Sequence, residues 1–190
     1  PFVLTTAAGK KRLTTQDNKQ SAQAAAGSVP EEIKQTGTAA SQWKAFLTGQ
    51  VITLKEVGDG VFSEGIMGDG FAIIPETDIL YAPADAEVSV LMQESRHACG
   101  LTLDSGMEIL LHVGIDTVDM QGDGFQYLVS QGEKVKAGTP LLRFDREKIR
   151  AAHHPDTTVC MITETADVNN VRFVTGVRAE ANVTVVAELQ

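Results

Sequence analysis

Cysteine is scarce in this 190-residue chain, and so are the patterns that would give it a task. Cys99 and Cys160 stand far apart, with no CxxC and no Cys/His ladder, which argues against a structural zinc site built from this chain alone. Nothing around them marks an oxidising compartment, so free thiols are expected. No uninterrupted apolar run of about 18 residues occurs, so no segment is expected to cross a bilayer as a helix. The nucleotide-binding pattern G-x-x-x-x-G-K-[ST] is missing as well. The first residue is not Met, as in a fragment or a processed chain.

Positive charge is the other shortage. Lys and Arg number 16 against 25 Asp and Glu, a net of −9, and the deficit is uneven. Residues 1–50 hold six basic and three acidic residues; residues 51–190 hold ten and twenty-two. An acidic body repels nucleic acid, whose binding rests on neutralising phosphates with Lys and Arg. It favours encounter with a positively charged partner, or simply keeps the protein soluble.

The length suits one ordinary domain plus an appendage. Residues 1–42 read as a linker, polar from Thr14 to Gln23 and then rich in Ala, Gly and Ser, with too little apolar area to offset ordering entropy. Pro1-Phe2-Val3-Leu4 followed by Lys10-Lys11-Arg12 has the order found at the cytoplasmic end of a membrane segment, and equally that of a plain polar tail. Residues 43–190 form the expected domain. From Val51 onward short apolar runs alternate with Gly, Pro and Asp. Val61-Phe62, Phe71–Ile74, Glu87–Leu91, Glu108–Val113, Pro140–Phe144, Thr158–Ile162 and Asn182–Ala187 are expected as strands. One clear helix candidate runs from Arg146 to about Ala152 with Asp145 as its N-cap. The expected fold is all-β, an antiparallel sandwich or barrel with one or two short helices.

Four histidines occur. His153 and His154 close the helix candidate, where a cation is mildly favourable, and are assigned a capping or surface role. His97 and His112 flank the turn signal Asp104-Ser105-Gly106 and are expected on the two arms of one hairpin. A loop of two or four residues centred between Asp104 and Ser105 makes them direct cross-strand partners, with Cβ atoms roughly 4.5–5.5 Å apart. A three-residue loop shifts the register by one and spoils that pairing. Two imidazoles so placed suit three tasks: part of a metal site, buried structure, or a nucleophile beside a hydrogen-bond donor.

The surroundings of His112 bear on the choice. Leu111-His112-Val113-Gly114-Ile115-Asp116-Thr117-Val118, followed by Gly122-Asp123-Gly124-Phe125, resembles the H-x-G-I-D-T-V…G-x-G-F signature of the glucose/β-glucoside-type enzyme IIA family of the bacterial sugar phosphotransferase system. The likeness extends to Gly58–Ser63, Met67–Pro75, Tyr81–Ala86 and Gly132–Gly138, and covers about residues 50–188. It implies a phosphotransferase that accepts a phosphoryl group on His112 from the phosphorylated histidine-carrier protein and passes it to a cysteine of an enzyme IIB domain, with no cofactor and no metal. His97 falls at the family's second active-site histidine, the expected phosphoryl stabiliser. Ser95 stands where the family often has a threonine, and its hydroxyl is expected to orient His97. Val61, Phe62 and Leu110 match an apolar docking rim, with Asp59 and Asp116 at acidic positions beside it. Those two acids either repel the phosphoryl group or brace local backbone. Gln93 and Leu110 stand where a Phe is common, so the rim is less aromatic than in some members. The resemblance places the domain at the cytoplasmic face, tied to the membrane only through a fused permease; a regulatory domain fused to a sugar symporter is the alternative. A lipoyl or biotinyl carrier shares similar turns, but the hairpin-tip lysine needed for attachment is missing here.

Overall fold

A computed structural model describes residues 42–190. The expected linker, apart from its last residue, and the basic cluster Lys10-Lys11-Arg12 lie outside the described residues. Gln42, placed in the linker by sequence, opens the first strand.

Fourteen short strands occur among the described residues. The first seven are β1 (Gln42–Lys44), β2 (Gly49–Thr53), β3 (Gly70–Pro75), β4 (Ile79–Tyr81), β5 (Ala86–Leu91), β6 (Ala98–Leu103) and β7 (Glu108–Val113). The rest are β8 (Phe125–Tyr127), β9 (Lys134–Val135), β10 (Pro140–Phe144), β11 (Thr158–Glu164), β12 (Val171–Phe173), β13 (Arg178–Ala179) and β14 (Val185–Leu189). The helices are α1 (Leu54–Val57) and α2 (Arg146–Ala151), with a 3-10 turn at Thr117–Met120. Every strand pair is antiparallel. One eight-stranded sheet runs β13-β2-β3-β11-β7-β6-β5-β9, and two three-stranded sheets run β4-β10-β8 and β1-β14-β12. The all-β expectation holds.

Alternation along β7 explains why it lies deep in the large sheet. Ile109, Leu111 and Val113 are buried in the main core, which also holds Trp43, Phe46, Phe71 and Phe144. Leu110 and His112 point to the opposite face, as the two-residue period requires. There Leu54, Phe62, Ala72, Ile115, Val159 and Met161 form a second, smaller apolar cluster. β11 is buried on both faces through Thr158–Ile162, and so reads as a continuous apolar run.

Two expected strands are corrected. Val61-Phe62 is a turn, because the Asp59 carboxylate accepts the N–H groups of Phe62 (3.1 Å) and Ser63 (3.0 Å) and bends the chain away from a ladder. Asn182–Thr184 precedes the last strand: Asn182 is left-handed at φ 64° and Thr184 N–H bonds the Glu180 carbonyl, so β14 starts at Val185. Helix α2 matches expectation, with Asp145 accepting the N–H groups of Glu147 and Lys148. Its histidines act through backbone: His153 adopts φ 66° and His154 N–H bonds the Ile149 carbonyl, a Schellman-type ending.

Candidate functional site

The hairpin turn differs from the favourable cases. Leu103 N–H donates to the Met107 carbonyl and Gly106 sits at φ 85°, so Asp104-Ser105-Gly106 is a three-residue loop. His112 therefore pairs with Ala98, and Val113 N–H donates to the His97 carbonyl at 2.8 Å. Direct pairing of the two histidines is corrected by one residue. Yet the rings still meet, with centroids 4.5 Å apart and planes at 79°. His97 lies just before β6 and follows Arg96, whose φ is 52°, so the strict facial alternation of a ladder does not bind it.

Around His112 the row across the sheet is small: Ala98 on β6, Val159 on β11 and Ala72 on β3. Phe62 lies on the imidazole with centroids 5.0 Å apart. His112 stays partly exposed within this apolar setting, whereas His97 is buried. Burial, and next the neighbouring His97, depress the His112 pKa to about 4, outweighing the Gly114 carbonyl and Asp59, which act the other way. Burial lowers His97 too. Both rings are neutral near pH 7.

The tautomer of His112 follows from its partner. Nδ1 lies 2.8 Å from the Gly114 carbonyl, which can only accept, so Nδ1 carries the proton. Nε2 keeps its lone pair and has no hydrogen bond among the described residues. The Gly-Ile-Asp-Thr run builds this arrangement. Gly114 has φ 77°, and a Cβ there would lie 2.4 Å from Thr117 Cγ2. Thr117 is buried and donates to the Val113 carbonyl at 2.6 Å. Asp116 adopts φ 57° at the head of the 3-10 turn. A neutral nitrogen nucleophile on a rigid strand, beside a second imidazole, suits transfer of a small charged group.

Other expected site residues fall as follows. Val61 is exposed at 52%, Asp116 is exposed and Leu110 is partly buried. Phe62 is only 7% exposed, packed under the small cluster instead of forming an open rim. Asp59 braces its turn; burial pushes its carboxyl up, but the N–H groups of Ser63 and Phe62 hold it below the usual range. Among the described residues no hydrogen bond joins Ser95 to His97: Nδ1 of His97 is buried without a partner there, and the left-handed Arg96 separates the two residues. Two residues were missed by sequence reasoning. Gly114 supplies the carbonyl that fixes the His112 tautomer, a role its place in the motif hid. Tyr127 bonds Met92 and Ala98 on either side of His97, and nothing in Phe125-Gln126-Tyr127 signals it.

A family model described as the phosphoenolpyruvate-dependent sugar phosphotransferase system, EIIA 1, matches residues 41–168. The mannose-specific EIIBCA component of Corynebacterium glutamicum is 42% identical over 140 residues, 74% of this chain and 20% of that protein. The glucose-specific EIIA component of Bacillus cereus is 42% identical over 133 residues, 70% of this chain and 80% of that protein. Glucose permease IIA from Mycoplasma capricolum, a solved structure, superposes with a TM-score of 0.68 at 33% identity, covering 77% of this chain and 93% of that one. The chain thus spans about a fifth of the length of the fused EIIBCA component and most of the stand-alone EIIA component.

Proposed function

Because this chain belongs to the EIIA 1 family of the phosphoenolpyruvate-dependent sugar phosphotransferase system, we propose that it is the phosphoryl relay of a sugar permease, with His112 as the residue that carries the group. The observation that carries this reading is the neutral His112 ring, held by Gly114 with Nε2 unbonded, 4.5 Å from His97.

In the forward step the Nε2 lone pair attacks the phosphorus of a phosphohistidine on the carrier protein. The donor N–P bond breaks, a new N–P bond forms on His112, and the donor imidazole leaves with its electron pair. The Nδ1 proton stays in its bond to Gly114 throughout, which steadies the positive charge the phosphorylated ring acquires. His97 faces the same space. A buried N–H without an acceptor is costly, so Nδ1 of His97 is better left unprotonated and the proton sits on Nε2, ready to donate to phosphoryl oxygens. In the second step a IIB cysteine thiolate attacks phosphorus and the His112–P bond breaks. Transfer of this kind needs positioning and charge stabilisation more than covalent help.

Val61, Leu110, Asp59 and Asp116 are assigned to partner docking, with the acidic body suiting a basic carrier surface. The fused architecture named for the Corynebacterium glutamicum relative supports a IIB partner and a place at the cytoplasmic face of a permease over a symporter regulator. Phosphoenolpyruvate, enzyme I and the carrier protein supply the test. Mass measurement should find one phosphoryl group on the wild type and none on His112→Ala, while His97→Gln takes up phosphate but passes it poorly to a IIB domain. A wild type that remains unmodified would defeat the proposal.

A further inference from the structure

His97 sits in a segment that holds its shape poorly by itself. Residues 92–96 close on one hydrogen bond, Arg96 N–H to the Met92 carbonyl at 2.7 Å, and Arg96 takes a left-handed backbone at φ 52°. A non-glycine residue there costs about 1–2 kcal/mol, so the surroundings must over-determine it. One neighbour is Gly122, where a Cβ would come within 2.7 Å of the Glu94 carbonyl. The other is Tyr127, reaching over from β8. Met92 N–H donates to the phenol oxygen at 2.9 Å, and the hydroxyl donates to the Ala98 carbonyl at 2.5 Å. The Met92 carbonyl lies farther off at 3.4 Å. One side-chain atom therefore ties the residue that begins the turn to the residue that follows His97. Ala98 is also the ladder partner of His112, so the clamp fixes both rings against one reference.

We propose that Tyr127 is a positioning residue for His97: its hydroxyl, bridging Met92 and Ala98, sets the approach of the His97 ring to His112. Its effect on phosphoryl hand-off rests on the function proposed above; its effect on ring placement does not. Burial pushes the phenol up to about 12, so the hydroxyl keeps its proton and remains a donor at any working pH. The aromatic ring packs against the main core, so Tyr127→Phe deletes the bridge and leaves the packing.

The first experiment needs no phosphate. In two-dimensional spectra of the imidazole ring protons, Tyr127→Phe should move the His97 and His112 signals and leave those of His153 and His154 in place; unmoved His97 and His112 signals overturn the clamp. The second compares rates. Tyr127→Phe should slow transfer to a IIB domain by on the order of tenfold, with uptake from the carrier changed less than about twofold. Added to His97→Gln it should slow transfer no further, since the partner it positions is gone. Equal slowing in both backgrounds means that Tyr127 acts elsewhere, and overturns the proposal. If the wild type takes up no phosphate, the functional reading fails while the ring spectra still decide the clamp. Should Tyr127→Phe not fold, hydrogen exchange of the unaltered protein decides: the Met92 amide is expected to be protected well beyond that of Gln93, and equal exchange counts against the bridge.

Discussion

On one face of β7, Ile109, Leu111 and Val113 enter a large core of Phe, Leu and Trp side chains; on the other, Leu110 and His112 meet a cluster of six residues that leaves the imidazole partly open. Cross-strand neighbours make the contrast plain. Leu111 lies between Cys99 and Cys160, both buried, and His112 lies between Ala98 and Val159. The same strand is thus an anchor on one side and a reactive platform on the other. What separates the faces is the depth of cover. The inner one excludes water and supplies stability. The outer one removes enough water to keep His112 neutral, yet leaves a reagent room to arrive.

Substitutions can break this division. Leu111→Ala should cost about 2–5 kcal/mol of folding stability, read as a lower urea midpoint, while the protein that remains folded still accepts phosphate on His112. Loss of acceptance without loss of stability would mean that the faces are not separate in function. Acid probes the outer face. The His112 pKa drops from 6.5 in the unfolded chain to about 4 in the fold. Its contribution to stability is complete above pH 6.5 and fades as pH falls toward 4, because the unfolded state binds the proton first. The loss is about 3 kcal/mol across that window. A His112→Gln protein should lack this part of the acid slope; parallel curves for the two proteins would remove burial as the cause. Phe62→Ala strips cover from the imidazole, should cost about 3–5 kcal/mol, and should raise the His112 titration midpoint toward the ordinary value. An unchanged midpoint would show that Phe62 does not shield the ring.

Much of this was legible in the sequence, and the gaps have physical causes. The Gly-Ile-Asp-Thr run pointed to the candidate site, and the structure gives those residues left-handed turns at Gly114 and Asp116 and the Thr117 bond to Val113. The short apolar run Glu108–Val113 marked the strand. The hairpin register was harder to read, since Gly106 takes the bulge position of a three-residue loop and the rings meet only because His97 stands outside the ladder. Phe62 read as a strand residue because its apolar character is that of the core; the Asp59 carboxylate beneath it decides for a turn. Tyr127 was missed for a physical reason: residues 92–98 are held by a side chain from β8, and no local pattern encodes a contact with a residue some thirty positions away.

The central physical claim is that His112 is a neutral imidazole with its proton on Nδ1, held by Gly114, and its lone pair free on Nε2. Nitrogen-15 spectra of the histidine rings across a pH titration test it most directly. His112 is expected to show an Nδ1–H tautomer that persists until a midpoint near pH 4. An Nε2–H tautomer, or a midpoint at the unperturbed value, would contradict it.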